Sequence, residues 1–387
     1  MRKRLIVTFL AAGLSLAAPL WAQQVCPGYS IVVNTPEDEL TLAYNGAENP
    51  QEQVAALDKF MQAHADSKFV PCAHEYYTLA YLKLNDYDKV IEHGEQGLAT
   101  HPDLMLSLNV AKAYVASGKV SDAGFDAILK APELIKTEST PSRPPNMSED
   151  DWKKEVDAGA EQAKDWRAYM EYAFFQLLQR EQDGSKRAQR LDQFVQSYPD
   201  SPNQGQINFN YYLAYKMANN AGKAEEYGEK AIAADPNDLV TLNLVADDYA
   251  TRQTNLDKAE AYAKKAGDLA AAMKKPEGLS DEQFKANQDS QAGLAHLTLG
   301  YVAFQKGSKT KKVAPAIEEF KKAVDLLGAN PQLQGRALFY LGYAYEVLYP
   351  PSHKGAIDAL TRSVSIASPW QAQAQDLLGK VKKAAGQ

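Results

Sequence analysis

Residues 79–109 read LAYLKLNDYDKVIEHGEQGLATHPDLMLSLN, and residues 213–243 read LAYKMANNAGKAEEYGEKAIAADPNDLVTLN. Both stretches belong to a longer self-match at a spacing of 134, in which residues 57–109 and 191–243 share 19 identities over 53 ungapped positions. Chance alignment would give about 3, so the chain contains an internal duplication. A fixed repeat spacing indicates an array of stacked supersecondary units.

A second, weaker self-match at a spacing of 132 covers the part of the chain that the first one omits. It places Ser148 on Ser280 and Tyr169 on Tyr301. The two matches together predict a chain built from three related units. The predicted segments are a signal peptide at 1–22, an N-terminal segment at 23–53, unit A at 54–130, a proline-rich loop at 131–147, unit B at 148–279 and unit C at 280–387.

Within each unit, apolar residues recur at helical spacing. Val110 and Tyr114 belong to one apolar stripe, Gly118 marks a turn, and a second stripe follows at Ala123 and Ala127. This pattern is typical of two helices joined by a short turn. It predicts one such hairpin for every ~34 residues.

These hairpins resemble the tetratricopeptide repeat (TPR), in which small residues allow two helices to approach closely while aromatic residues fill the gaps. The matching positions are Leu341-Gly342 with Ala356, Leu299-Gly300 with Ala316, Val245-Ala246 with Ala259, Tyr77 and Tyr81 with Gly94, and Tyr211 and Tyr215 with Gly228. The resemblance is to exported bacterial TPR proteins. It implies an all-α fold, a right-handed α-solenoid of TPR-like helical hairpins.

The first 22 residues have the composition of a secretory signal. A basic start at 2–4 precedes an apolar run at 5–20, and Ala22 stands before two polar residues. The apolar run is shorter than the roughly 20 residues that span a bilayer, which disfavours an uncleaved anchor. We therefore expect an exported protein, periplasmic or extracellular, with no integral membrane span.

The sequence contains two cysteines, Cys26 and Cys72. Because an exported chain meets an oxidising compartment, we interpret them as a disulfide that tethers segment 23–53, including the strand-like residues 29–33, to the first helices. The alternative is a metal site, since four histidines share this region, namely His64, His74, His93 and His101. They form no His-x-x-x-His pair and there is no Cys-x-x-Cys motif, so we expect no metal and no cofactor.

The segment around residue 148 combines a loop and a long helix. Four prolines between 131 and 147 predict a loop that cannot propagate a helix. Ser148, followed by Asp151, predicts a helix start, and an apolar stripe then runs from Trp152 to Leu177. We interpret the stripe as a core seam between stacked units. A cofactor or peptide groove is the alternative.

Composition and motifs argue against several function classes. The net charge of −7 makes nucleic acid a poor partner. No Gly-x-Ser-x-Gly nucleophile motif occurs, and residues 307–310 imitate the end of a phosphate loop without the preceding strand. Acidic pairs such as Asp247-Asp248 are interpreted as solvated helix faces. These observations do not support an enzyme.

The prediction is therefore a non-catalytic exported scaffold or adaptor that binds a protein or peptide partner through a concave helical-repeat surface. Two alternatives remain open. Residues 60–67 and 194–201 resemble the repeats of envelope-assembly proteins that serve outer-membrane barrel insertion, although no lipid-attachment signal is present. A hydrolase of envelope polymers that uses groove carboxylates is the other alternative.

The duplication also suggests a candidate binding surface. Asn109 and Asn243 occupy equivalent positions in first helices, where TPR geometry implies a concave wall. The other predicted surface residues are Glu75, Leu79, Phe209 and Leu213. They stand where a TPR clamp for a terminal carboxylate would offer lysine and asparagine, so that clamp is not reconstructed. The alternative for both asparagines is a bond to a neighbouring turn or helix.

Overall fold

The computed structural model describes residues 29–138, 143 and 146–387. All regular structure within these residues is helical, which confirms the predicted all-α fold. The helices are α1 (Pro36–Gly46), α2 (Pro50–Ala63), α3 (Val70–Leu84), α4 (Tyr87–Thr100), α5 (Leu104–Ser117), α6 (Asp122–Glu138), α7 (Glu149–Leu178), α8 (Gly184–Ser197), α9 (Gln204–Met217), α10 (Ala221–Ala234), α11 (Leu239–Arg252), α12 (Leu256–Ala271), α13 (Asp281–Gly307), α14 (Ala314–Leu326), α15 (Pro331–Val347), α16 (His353–Val364) and α17 (Gln371–Ala384). The predicted signal peptide and Cys26 lie outside the described residues.

The described residues divide into two compact bodies, one that ends at Ser201 and one that runs from Pro202 to Gln387. Helices α1 to α8 belong to the first body and α9 to α17 to the second. The boundary falls inside predicted unit B, at 148–279. The division into three units rests on sequence similarity and stays a prediction.

Successive helices pack against each other as hairpins within each body, as the apolar spacing predicts. The packed pairs include α3 with α4, α5 with α6, α9 with α10, α11 with α12, α13 with α14, and α15 with α16. Each hairpin buries the stripe that one helix alone would leave in water. An array of such pairs therefore forms a helical-repeat solenoid within each body.

The internal duplication is visible in the helix bounds. Helices α2 and α8 begin at Pro50 and Gly184, and α4 and α10 begin at Tyr87 and Ala221, each pair 134 residues apart. The turns are equivalent as well. Asn85 and its counterpart Asn219 both adopt the left-handed conformation, with φ of 56° and 54°. The residue that follows each of them, Asp86 or Asn220, caps the next helix.

The small residues of the repeat allow the close helix approach that the sequence predicts. A Cβ atom on Gly94 would lie 2.2 Å from Cγ2 of Val110, and one on Gly342 would lie 2.6 Å from Cγ of Leu360. Any side chain at these positions would displace a packed neighbour. Glycine is therefore needed at these close helix contacts, both between hairpins (Gly94) and within one (Gly342).

Both long helices begin at the predicted caps. The Ser148 hydroxyl accepts a hydrogen bond from the Asp151 amide at 3.1 Å. Ser280 and Gln283 form a reciprocal capping box at the start of α13. The stripe of α7 is a core seam in its second half, where Trp166 and Met170 are buried.

The first part of the predicted proline-rich loop is helical. Helix α6 continues through Pro132 to Glu138, so the expectation of loop from residue 131 is wrong for its first eight residues. A proline inside a helix removes the donor for the carbonyl four residues earlier, here Ile128. The Tyr198 hydroxyl donates to that carbonyl at 2.7 Å, which replaces the missing bond.

The strand-like interpretation of residues 29–33 is also wrong. Residues 29–32 have no regular structure, and a turn follows at 33 and 34. Val32 and Val33 are 63% and 73% exposed. A strand needs a partner strand, and no described residue offers one to this segment.

In the described part of the chain, no helix combines the length and apolar character needed to cross a bilayer.

Candidate functional site

The second body contains a cavity of about 350 Å³. Its wall comes from α9, α11, α15 and the residues that precede α17. The lining residues are Lys216, Asp247, Asp248, Thr251, Gln332, Leu333, Arg336, Pro369 and Trp370. Helices α9, α11 and α15 are each the first helix of a hairpin, so the cavity lies on the first-helix surface of this body.

Arg336 forms the most buried part of the wall, with 9% of its surface exposed. Its Nη1 donates to the Asp247 carboxylate at 2.9 Å, and its Nη2 donates to the Thr251 hydroxyl at 3.1 Å. Burial disfavours the charged guanidinium, but Asp247 more than offsets this, so the pKa of Arg336 is raised. Arg336 is therefore a fixed cation that joins α15 to α11.

Asp248 is held by cations from two helices. Nζ of Lys216 on α9 lies 3.0 Å from one carboxylate oxygen, and Nε of Arg252 donates to the other at 2.9 Å. The Asp248 side chain is 13% exposed, whereas that of Lys216 is 39% exposed. Lys216 is thus the most accessible of the four charged groups in the lining.

The opposite wall is apolar. Leu333 and Trp370 are half-buried, and Pro369 is exposed at the rim. The Trp370 ring packs against Phe339 and Tyr340, with centroids 5.2 and 5.1 Å away. Rings packed on one another are held in place, so Trp370 presents a supported aromatic surface.

Most hydrogen-bonding capacity of the charged groups is already used. Asp247 also accepts a weak bond from the Thr298 hydroxyl at 3.4 Å. Among the described residues, Nε of Arg336 is a buried donor without a partner. The cavity therefore combines two internal ion pairs, an aromatic wall and one unused buried donor.

Asn109 and Asn243 are each only 1% exposed and bond to neighbouring helices. Nδ2 of Asn109 donates to the Thr78 hydroxyl on α3 at 3.1 Å. Nδ2 of Asn243 donates to the backbone and side-chain oxygens of Gln291 on α13, at 3.1 and 2.9 Å. Their burial favours the alternative of a bond to a neighbouring helix over contact with a partner.

The other predicted surface residues do not converge on the cavity lining. Glu75 is 2% exposed on α3, and Leu79 is half-buried on the same helix. Phe209 and Leu213 on α9 are partly buried against the core of the second body. Their role in binding stays a prediction.

Two of the four histidines that suggested a metal site are in direct contact. His74 and His93 lie together, with their Nδ1 atoms 3.1 Å apart, and His93 stacks on Tyr77 at 4.0 Å. Within the described ranges, no group of three or more potential ligands is placed to hold a metal ion. Cys72 is buried, and Cys26 is outside the described residues, so their pairing stays a prediction.

Sequence reasoning missed the cavity residues and misread one pair among them. Asp247 and Asp248 are not a solvated helix face, because their side chains are 21% and 13% exposed and are held in ion pairs. The signal was two adjacent acids in a first helix that is mostly apolar before them. Arg252 is a local partner of Asp248, four residues later on α11, whereas Lys216 on α9 and Arg336 on α15 lie at sequence distances that no local pattern reveals.

No protein-family model matches the chain, and no curated protein is similar to it. Among solved structures, the C-terminal part of a TPR repeat-containing protein from Cytophaga hutchinsonii is similar, at 17% identity, with 78% of this chain and 98% of that chain covered and a TM-score of 0.37. A chain of the APC/C hetero-tetramer Cut9-Hcn1 is similar at 14% identity, with 91% of this chain and 85% of that chain covered and a TM-score of 0.27. Neither similarity is close enough to assign a function.

Proposed function

We propose that this chain is a non-catalytic binding protein, and that the cavity of the second body binds a segment of a protein or peptide partner. The observation that carries the proposal is that first helices from three hairpins line one cavity together. A volume of about 350 Å³ is at the lower end of the range for ligand sites. It suits one side chain of a bound segment rather than a large cofactor.

The rim of the cavity suits a peptide backbone, which needs both donors and acceptors. Gln332 is exposed, and its side-chain amide supplies N–H donors and a carbonyl acceptor. The Thr251 hydroxyl accepts from Arg336 and keeps its own hydrogen for a ligand carbonyl. A segment bonded at this rim would place a side chain against Leu333 and Trp370.

A binding role fits the carboxylates better than catalysis does. A general acid or base must exchange a proton with its substrate. Asp247 and Asp248 instead hold Arg336, Lys216 and Arg252 in place. These acids support the geometry of the wall.

A hydrolase that uses carboxylates is the second candidate, and one observation in the first body favours it. Burial, together with the nearby Asp103, raises the pKa of Glu138 to about 7, a value suited to a general acid. However, Glu138 Oε1 accepts a hydrogen bond from the Leu104 amide at 3.1 Å, which is a capping contact at the start of α5. A screen on peptidoglycan and peptide substrates, with Glu138→Gln beside the unmodified chain, tests this candidate. Turnover that Glu138→Gln abolishes would establish it.

Export and the disulfide are parts of the proposal that rest on sequence. A mature mass that begins near Gln23 in the native host would support the signal peptide, and a mass that retains residues 1–22 would refute it. Thiol labelling of the unfolded, unreduced protein tests the pairing of Cys26 with Cys72. Two reactive thiols would refute that pairing.

A role in outer-membrane barrel assembly is a narrower form of the same proposal. It is supported by the resemblance of residues 60–67 and 194–201 to such proteins. Depletion of the chain in its host, followed by measurement of outer-membrane barrel levels, tests it. Unchanged barrel levels would leave the general binding role and remove this one.

Site-directed photo-crosslinking tests the binding role. A photoreactive amino acid replaces Gln332 at the cavity rim, and a matched control carries it at the exposed Lys322 on the second helix α14. We expect a discrete adduct from position 332 in the native host, and its loss when Trp370→Ala is added. Equal capture at both positions, or capture at neither, would overturn the proposal.

A further inference from the structure

We infer that the second-body cavity selects an uncharged aromatic side chain of a bound peptide and discriminates against acidic and basic side chains. This inference rests on the proposed function and names the chemistry of the segment. Its basis is the arrangement of charges in the wall. The cavity carries charged groups, yet they neutralise each other.

The lining contains two cations and two anions, and each is paired within the wall. Arg336 pairs with Asp247 at 2.9 Å, and Lys216 pairs with Asp248 at 3.0 Å. An acidic ligand would approach cations whose charge an aspartate already neutralises, so it would gain little Coulomb energy unless it displaced that aspartate. A basic ligand would have to displace Lys216 or Arg336 in the same way.

The cost of this exchange is set by burial. The Asp247, Asp248 and Arg336 side chains are 21%, 13% and 11% exposed, so a charge that loses its partner there regains little water. A charged ligand must also lose its own hydration on entry. Charged side chains are therefore penalised twice, whichever sign they carry.

An aromatic side chain meets neither penalty. It would lie against Leu333, Pro369 and Trp370, and Trp370 is backed by Phe339 and Tyr340. Rings packed at such distances gain stabilisation beyond the burial of area alone. The buried ion pairs hold the charged part of the wall rigid, and the aromatic part of the wall attracts the aromatic side chain.

Four N-acetylated, C-amidated heptapeptides test the inference. Their sequence is Ser-Gly-Ser-X-Ser-Gly-Ser, where X is Phe, Leu, Glu or Lys, and ligand-observed NMR titration of the full chain gives each Kd. We expect the Phe peptide to bind at least roughly tenfold more tightly than the Glu and Lys peptides. A Glu or Lys peptide that binds as tightly as the Phe peptide would overturn the inference.

Two variants unbalance the wall in opposite directions. Asp248→Asn removes the anion that holds both Lys216 and Arg252, so the Glu peptide should gain about tenfold in affinity. Lys216→Met removes one of the two cations that hold Asp248, so the Lys peptide should gain by less than tenfold, since Arg252 still pairs with Asp248, while the Phe peptide changes little. Lys264→Met, which removes an exposed ion pair with Glu260 on α12, is the matched control and should leave the ranking unchanged.

Circular dichroism and thermal unfolding confirm that each variant is folded before binding is compared. An unchanged ranking in folded Asp248→Asn and Lys216→Met would overturn the inference. If position 332 captures a partner but no heptapeptide binds, the inference is overturned and the proposed function stands. If capture is also missing, the proposed function is overturned.

Discussion

The phenolic oxygen of Tyr198 lies 2.7 Å from the backbone carbonyl oxygen of Ile128, the acceptor that Pro132 deprives of its helical donor. Tyr198 is 1% exposed, so the bond is shielded from water. Burial also raises the pKa of Tyr198 well above its ordinary range, which keeps the hydroxyl protonated. The Tyr198 side chain thus supplies a donor to a carbonyl that lies 70 positions earlier in the sequence and has lost its helical one.

Replacing this tyrosine should loosen α6. Tyr198→Phe leaves the Ile128 carbonyl buried without a donor, at a cost of about 1–3 kcal/mol. Hydrogen exchange of the full chain, read on peptides from α6, measures the effect. Tyr172→Phe, at a 41% exposed position, is the control and should change little.

A second substitution identifies the cause. Pro132→Ala restores the amide that can donate to Ile128, so Tyr198→Phe should cost less in that background. Equal costs in both backgrounds would show that the tyrosine acts through packing alone.

The duplicated glycines predict unequal effects for the same substitution. In Gly94→Ala the new Cβ lies 2.2 Å from Val110 Cγ2, whereas in Gly228→Ala it lies 3.0 Å from Val245 Cγ2. We expect Gly94→Ala to lower the free energy of unfolding by about 1–3 kcal/mol, and Gly228→Ala to lower it by less. Urea unfolding measures both. Gly379→Ala, with open space around the new methyl, should instead stabilise α17 by up to about 1 kcal/mol.

His93 should contribute a loss of stability to the first body in mild acid, opposite in sign to the contribution of Glu138, whose pKa is raised. Burial, with help from the charge of His74, lowers the pKa of His93 from 6.5 to about 4. The unfolded chain therefore binds more protons than the folded chain between these values, and stability is lost as the pH falls from 6.5 towards 4. After a discount for the partial exposure of the ring, the loss is about 1–2 kcal/mol.

Urea unfolding of the unmodified chain and of His93→Tyr at pH 7 and pH 5 separates this loss from the opposite contribution of Glu138. His93→Tyr places the residue of the equivalent position, Tyr227, on the same stack and should reduce the loss. Glu92, Lys89 and Asp58 also face His93 and are unchanged by this substitution. A pH dependence that is identical in the variant would refute the assignment to His93.

The buried asparagines should affect stability rather than binding. Asn109→Ala removes the bond to Thr78, and Asn243→Ala removes both bonds to Gln291. Each change should lower the free energy of unfolding by about 1–2 kcal/mol and leave the photo-crosslink at position 332 unchanged. Asn237→Ala, at an exposed position, is the control. Weaker capture at an unchanged melting temperature would instead show that Asn109 and Asn243 contribute to binding.

The fold could be predicted because its determinants are local and repeated. Gly94, Gly228 and Gly342 mark close helix contacts through their size alone, and Ser148 and Ser280 mark helix starts through their caps. Such signals act within a few residues or recur in each hairpin. They can be recognised in the sequence without knowledge of the packing.

The cavity could not be predicted because its determinants are distant pairs. Asp247 reads as a surface acid until Arg336, 89 positions later, is placed beside it. Pro132 reads as a helix breaker for the same reason, since its compensation by Tyr198 depends on tertiary packing. Local propensity cannot identify a residue whose partner lies several helices away.

The duplicated segment and the compact body do not share a boundary. Helix α2 and its copy α8 both belong to the first body, whereas α3 lies in the first body and its copy α9 in the second. The duplicated segment therefore differs in its bounds from the compact body. Because each hairpin needs only a neighbour of similar shape, an ancestral gene could double without regard to where a body ended, and each copy could then acquire its own chemistry.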